Sequence, residues 1–372
     1  MSANLLFLTL KVFSETGGIE KVSRIAGKAL YELCGEENIN LRIYSLHDEP
    51  SDANDKYFPA KIFCGFNARR FPFVLKSIRN GIKSNIVLLS HINLLSIGYL
   101  IKKLSPKTKI ILLAHGIEIW EPLLPPRRIM LLNCDRILAV SRFTKDIIDR
   151  NNLLKEGQCI VLNNCLDPFL QETNPGKPVS LLNRYGLGNS SIILMTLSRI
   201  FSNERYKGYE KVIRALQQLI PEFPGLKYMI VGKYDAEEKK RLDDIITETG
   251  VEQKVIFTGF IPDDELADHY NLADVYIMPS KKEGFGISFI EAMFYGIPVI
   301  AGNSDGSADA LFNGALGTLI NPEDQEEITA AIKKILINKT SFTPDRNLLL
   351  QKFSYPTYKN NLEVILQDLQ NE

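Results

Sequence analysis

Short apolar runs alternate with amphipathic segments along this chain, and the alternation occurs twice. That pattern constrains the fold more than any other feature, because strands that alternate with helices form parallel sheets covered on both faces. In the first pass, Leu5–Leu10, Leu41–Tyr44, Lys61–Phe63, Ile86–Leu89, Ile110–Leu113, Arg136–Val140 and Ile160–Leu162 read as strands. Between the first two, 20–34 places Val22, Ile25, Ala26, Ala29, Leu30 and Leu33 on one helical face. The segment Gln171–Ser191 is rich in turn residues (Asn174, Pro175, Gly176, Pro178, Gly186, Gly188) and reads as an interdomain linker. The alternation then restarts. Ile192–Leu197, Tyr228–Val231, Val255–Phe257, Val275–Met278 and Gly317–Ile320 read as strands, with helices at 209–219, 236–249, 264–271 and 322–337.

The expected fold is therefore α/β, with two Rossmann-like doubly wound domains facing a cleft, the C-terminal ends of both sets of strands turned toward it. Residues 1–175 and 190–352 form the two domains, and 353–372 a last helix with Leu362, Ile365 and Leu369 on one face. A chain of 372 residues is long enough for both. Lys plus Arg and Asp plus Glu each number 44, so no global nucleic-acid role is expected. Five scattered cysteines with no CxxC pair suggest neither a disulfide framework nor a zinc site, and a reducing cytoplasm fits. The N-terminal apolar run is short, lacks a basic flank and reads as a first strand rather than a signal peptide. The apolar region 86–104 contains His91, Asn93 and Ser96 and reads as strand, loop and helix, so any membrane contact is expected to be peripheral.

The polar residues gather at strand exits. Pro279–Val299 reads as loop, helix and the start of a strand, with Glu283 and Glu291 eight apart and Gly284-Phe285-Gly286 between them. A helix N-terminus there suits phosphate. Glu291, two turns into the helix, could accept two hydrogen bonds from a vicinal diol such as a ribose. Ser198-Arg199 ends the first strand of the second half, followed by Arg205 and by Lys207-Gly208 at the start of a helix. Arg199 and Lys207 converging on one group would neutralise a pyrophosphate, with Arg205 as a further candidate. Phe257–Pro262 is another strand exit, where the backbone of Gly259, Phe260 and Ile261 could meet a base; on its own it is a plain exit. In the first half, Gly17-Gly18 follows a strand and opens a helix, and His115 closes another strand, where it could meet a substrate hydroxyl. His47, His91 and His269 lack such a context. Asn163–Asp167 is explained equally by polar contacts and by turn chemistry.

Several signatures fail. There is no P-loop, no complete GxGxxG and no Asp-x-Asp. Gly302-Asn303-Ser304-Asp305-Gly306 spells GxSxG, but no histidine follows it, so it reads as a small-residue loop rather than a hydrolase elbow. Without Asp-x-Asp, phosphate charge falls to Arg199, Lys207 and helix N-termini, and no metal or other cofactor is expected.

Together, Glu283–Glu291, Arg199…Lys207-Gly208 and Gly302–Ala310 resemble the retaining glycosyltransferases of family 4, with the two-domain GT-B fold and an E-x7-E motif. The resemblance runs from Gly17 to the final helix. It implies that Glu283 contacts the transferred sugar and Glu291 the nucleotide ribose. The backbone at Phe285, Gly286, Ile287 and Ser288 would meet the diphosphate, as would Arg199 and Lys207. It sets His115 near the donor sugar and reaction centre, and Gly18, beside Gly17, near the diphosphate and acceptor. It also implies that the last helix returns to the N-terminal domain. Two departures stand out: Asn203–Tyr206 lengthens the Arg-to-Lys loop, leaving Arg205 as a third candidate phosphate contact, and Asn164-Cys165-Leu166-Asp167 lacks the family's usual glycine.

The expected activity is a metal-independent transfer of a hexose from a nucleoside diphosphate sugar to an acceptor hydroxyl, with retention. Rival readings on the same fold are a nucleotide-sugar epimerase, a sugar phosphorylase and a non-catalytic nucleotide-sugar binding module. The stretch 66–83 sets Arg69, Arg70, Lys76, Arg79 and Lys83 among Phe66, Phe71, Phe73, Val74, Leu75, Ile78 and Ile82. A surface helix covering the sheet explains it; so does a peripheral contact with an anionic membrane at the inner face of the cell membrane. On the membrane reading the acceptor is a lipid-linked saccharide or polysaccharide precursor, with a soluble acceptor as the alternative.

Overall fold

The computed structural model describes residues 4–152, 154–173 and 176–371. The chain divides into two compact units: residues 1–168 with 353–372, and residues 169–352.

The first unit holds seven strands: β1 (Asn4–Thr9), β2 (Asn40–Ser45), β3 (Phe63–Gly65), β4 (Ile86–Leu89), β5 (Lys109–Ala114), β6 (Arg136–Ala139) and β7 (Cys159–Val161). They lie in the order β3-β2-β1-β4-β5-β6-β7, and every pair is parallel. The register of β1 is set on both sides, with Leu5 opposite Leu41 and Ile86. Near-continuous apolar strands are what a sheet buried on both faces requires; all four residues of β4 are buried. The helix Gly18–Glu36 buries the apolar face read from its spacing. The helix Tyr355–Asn371 packs on it, with Tyr355 Oη donating to Glu32 at 2.8 Å and Lys359 paired with Glu36 at 2.6 Å.

The second unit holds β8 (Ile192–Leu197), β9 (Leu226–Val231), β10 (Val255–Gly259), β11 (Val275–Met278), β12 (Val299–Gly302) and β13 (Thr318–Ile320). Their order is β10-β9-β8-β11-β12-β13, again all parallel. The helix Tyr209–Leu219 buries Val212, Ile213, Leu216 and Leu219 at helical spacing. The helix Ala236–Thr249 begins where Asp235 accepts from the Glu238 N–H and ends at Gly250, which has φ +66°.

One expectation is corrected here. Gln171–Ser191 is not an open linker: it lies in the second unit, carries the helix Val179–Arg184, and buries Leu181 and Leu182. Lys177 ties it to Asp274 at 2.5 Å, and Asn271 donates to Thr173 at 2.7 Å. Its Asn174 and Pro175 lie outside the described residues. Among the described residues, no helix is long and apolar enough to cross a membrane.

Candidate functional site

Each sheet reverses its strand order once. Chain direction across the sheet switches between β1 and β4 in the first unit and between β8 and β11 in the second. The crevice outside the C-terminal ends of two such strands is where open α/β sheets bind ligands. Several of the candidate residues lie at these two points, while Gly259, Phe260 and Ile261 lie at the exit of the edge strand β10.

In the second unit, β8 delivers Arg199 and β11 delivers Glu283. After Arg199 the chain makes a 3-10 turn, Ser202–Lys207, and ends it at Gly208, which has φ +78°. A Cβ on Gly208 would stand 2.5 Å from the carbonyl oxygen of Pro279, so only glycine allows this loop to lie against the β11 exit. The Lys281 N–H donates to the Tyr206 carbonyl at 3.0 Å and fastens the two loops together.

That contact builds a chain of charges. Arg199 Nη2 lies 2.7 Å from Glu204 Oε1, Lys207 Nζ lies 4.0 Å from Glu204 Oε2, and Lys207 Nζ lies 3.3 Å from Glu283 Oε2. Glu204 is nearly buried, whereas the Arg199 side chain is 64% exposed. The buried carboxylate therefore sets two cations side by side while leaving the guanidinium open to a ligand. Sequence reasoning treated Glu204 only as part of a lengthened loop. Its role depends on a turn that brings it back to Arg199, and no local pattern announces that.

Arg205 does not join this group. Its Nη2 bonds Glu237 at 2.8 Å and its Nε bonds the fully buried Glu238 at 3.0 Å, at the start of the helix Ala236–Thr249. The structure thus sets this expected third phosphate contact against acidic partners rather than beside Arg199 and Lys207.

Beyond Glu283, Gly286 adopts φ +89° and caps the helix Ile287–Phe294 without any side-chain cap bond. The N–H groups of that first turn, at Ile287 and Ser288, carry the partial positive charge of a helix start. Phe285 is buried, so it can offer a ligand little beyond its backbone. Glu291 is only 2% exposed, and Tyr270 Oη donates to its Oε2 at 3.0 Å. Burial, with the Glu291 charge beside it, pushes the Tyr270 phenol well above its ordinary value, so Tyr270 remains a donor to that carboxylate. At the β10 exit, Gly259 has φ +71° and its carbonyl accepts from the Gly232 N–H at 3.0 Å. Phe260 is exposed with Lys233 Nζ 4.7 Å from its ring centre, and Ile261 is buried.

The small-residue loop after β12 also proves to be more than small. Asp305 is 1% exposed, and its carboxylate accepts from the Glu283 N–H at 2.7 Å and the Ser307 N–H at 2.9 Å. Burial raises its pKa to about 7.

In the first unit, His115 follows β5, with Nε2 2.7 Å from the Ser90 carbonyl and its N–H donating to Glu118 at 2.6 Å. Gly116 beside it has φ +133°. Gly17 starts the helix Gly18–Glu36 in extended backbone, and a Cβ on Gly18 would meet nothing within 4 Å. A cavity of about 180 Å³ opens at the β1/β4 switch point, lined by Leu10, Lys11, Glu20, His47, Ser90 and His91 among others. Two histidines that the sequence left without a context thus share one cavity, and Ser90 links it to His115. Burial, above all, holds the His91 pKa below the ordinary imidazole value, with His115 and Arg127 acting the same way and Glu118 opposing.

Residues 184–349 match the family described as "Glycosyl transferases group 1". That segment is similar in sequence to the group 1 glycosyltransferases. It spans from just before β8 to past β13 and contains the whole charge chain of the second unit. A GDP-mannose-dependent alpha-(1-6)-phosphatidylinositol monomannoside mannosyltransferase of Mycolicibacterium smegmatis is 30% identical over 242 residues, 61% of each chain. The 2-deoxystreptamine glucosyltransferase of Streptomyces kanamyceticus is 27% identical over 176 residues, 47% of this chain and 44% of that one. The chain thus spans less than two thirds of these relatives' lengths. Among solved structures, Anabaena HepE in complex with UDP and glucose aligns with a TM-score of 0.81 and 20% identity, covering 98% of this chain and 100% of that one. Sucrose-phosphate synthase from Thermosynechococcus elongatus aligns at 0.77 and 17%, covering 99% of each. The fold is that of the GT-B glycosyltransferases, with two Rossmann-like units.

Proposed function

We propose that this protein is a retaining, metal-independent glycosyltransferase of family 4 type. It moves a hexose from a nucleoside diphosphate sugar to an acceptor hydroxyl. The observation that carries the reading is the chain Arg199–Glu204–Lys207–Glu283 across the β8/β11 switch point, beside an uncapped helix start. The diphosphate lies against Arg199, Lys207 and the N–H groups of Ile287 and Ser288. Glu291 takes the ribose diol, Gly259 to Ile261 meet the base, and Glu283 holds the sugar hydroxyls.

In the reaction, the bond from the anomeric carbon to the diphosphate oxygen breaks as the acceptor oxygen bonds that carbon from the same face. The acceptor proton passes to the departing phosphate oxygen. Negative charge grows on the diphosphate, and Arg199 and Lys207 meet it without reorganising, because Glu204 already holds them. Arg199 and Lys207 stabilise the leaving group, and His115 serves the sugar and acceptor. The acceptor belongs to the first unit, at Gly17, Gly18 and the cavity beside His47 and His91.

A lipid-linked saccharide or polysaccharide precursor is the acceptor this reading favours. Two observations support it. One relative acts, by its name, on phosphatidylinositol monomannoside. The helix Arg70–Gly81 leaves Phe71 78% exposed and Leu75 58% exposed among exposed Arg70, Lys76 and Arg79, which suits contact with an anionic membrane at its cytoplasmic face. Flotation with anionic vesicles tests that contact; recovery of the protein wholly below the vesicles would remove it. The activity itself is tested with UDP-, GDP- and ADP-sugars, with and without acceptor saccharides and with chelator present. Acceptor-dependent transfer that keeps the anomeric configuration is expected. Product without acceptor would mark an epimerase, dependence on phosphate a phosphorylase, and binding without turnover a non-catalytic module.

A further inference from the structure

Glu283 sits in a loop, between the end of β11 and the helix Ile287–Phe294, where its position is not set by sheet or helix bonds. Its peptide is nevertheless gripped from both ends. Asp305 Oδ2 accepts from the Glu283 N–H at 2.7 Å, and the Gly306 N–H donates to the Glu283 carbonyl at 2.8 Å. Asp305 is itself fixed, with Oδ1 accepting from the Ser307 N–H at 2.9 Å. The approach is so close that a Cβ on Gly306 would stand 2.0 Å from the Gly284 carbonyl oxygen and 2.7 Å from that of Glu283.

We propose that Asp305 and Gly306 form a clamp on the Glu283 peptide, making Asp305 the positioning residue that aims the Glu283 carboxylate at the transferred sugar. This rests on the functional reading above and goes beyond it, because it assigns a role to a loop to which that reading gives no contact with sugar or nucleotide. A buried carboxylate is a costly way to hold a loop. Its use here is directional: two oxygens accept from two N–H groups at once, which neither an amide nor a hydroxyl can reproduce.

The clamp is sensitive to pH. Asp305 has its pKa raised from an ordinary 3.8 to about 7, chiefly by burial, with the nearby Glu283 charge adding to the rise and the bonds from Ser307 and Glu283 opposing it. The Glu283 carboxylate is the charged group acting on it, and that carboxylate faces Lys207 at 3.3 Å. Protonation places a hydrogen on Oδ1 or Oδ2 and removes the charge, so both bonds weaken, most at the protonated oxygen. The grip therefore weakens as pH falls through about 7. The stability contribution has the opposite sign. With the folded value raised, it is full below 3.8 and is lost as pH rises through about 7.

The test is the Asp305→Asn variant, followed by amide-resolved hydrogen exchange at Glu283 and by the pH profile of transfer. Exchange at the Glu283 amide should quicken by about tenfold or more at pH 8, the scale of losing one hydrogen bond to a charged acceptor, while amides of β11 keep their protection. The wild-type turnover number should decline as pH falls through 7, and this limb should be absent from the variant. The variant's melting temperature relative to wild type should rise from pH 5 to pH 8. Unchanged exchange at Glu283, or the same limb in both proteins, would overturn the proposal. If the variant does not fold, wild-type exchange decides: protection at Glu283 lost between pH 8 and 6, after correction for intrinsic rate, supports the clamp, and constant protection overturns it. If wild type transfers no sugar from any donor, the functional reading fails, and exchange still judges the clamp.

Discussion

The two switch points share a topology and differ in charge. At β8/β11, cations and carboxylates are already paired: Glu204 with Arg199, and Lys207 with Glu283. At β1/β4, Lys11 is paired within its own turn to Glu15 at 2.5 Å, and burial keeps His91 toward its neutral form. A site prepared for a diphosphate must hold like charges together before the ligand arrives, and a buried carboxylate between them does this. A site for a hydroxyl-bearing acceptor needs donors and acceptors of modest charge. On the proposed reading, the same α/β scaffold supplies two chemistries through the loops that follow equivalent strands.

Substitutions at three places distinguish the two switch points. The largest effect should come from Lys207→Ala, which should lower turnover by about 10²-fold or more, the scale of losing one key electrostatic group. Single-turnover rates near wild type would remove its leaving-group role. Next, His47→Ala and His91→Ala should each raise the acceptor KM by roughly tenfold, about the worth of one hydrogen bond, and leave the donor KM unchanged. Equal changes in both constants would erase the division of labour between the units. The smallest effect belongs to Arg205→Ala. Its bonds run to Glu237 and Glu238, so turnover should stay within about twofold of wild type, as for a partly exposed structural pair. A loss like that of Lys207→Ala would return Arg205 to the phosphate site.

Much of the fold was legible because a parallel strand buried on both faces is a continuous apolar run, and β4, β8 and β11 announce themselves that way. Strand exits were legible for the same reason, and with them Arg199 and Glu283. The helix Val179–Arg184 was not, because six residues among prolines and glycines read as a loop. The partners of Glu204, Arg205 and Asp305 were not legible, for one shared reason. Each acts through a partner that only the tertiary fold brings near: Glu204 reaches Lys207 and Arg199 through a turn, Arg205 reaches Glu238 on the next helix, and Asp305 reaches Glu283 across two loops. Charged residues in loops carry no periodicity, so their sequence neighbours say little about which charge they will meet.

The proposed role of the β8/β11 switch point is to hold a nucleoside diphosphate through Arg199 and Lys207. Titration calorimetry with UDP, GDP and ADP tests it directly, comparing wild type with the Arg199→Ala/Lys207→Ala double variant. At least one nucleotide should bind wild type, and the double variant should bind it about 10²-fold or more weakly, the scale of two lost charge-assisted contacts. Equal affinity in the two proteins, or no binding of any of the three to wild type, would contradict it.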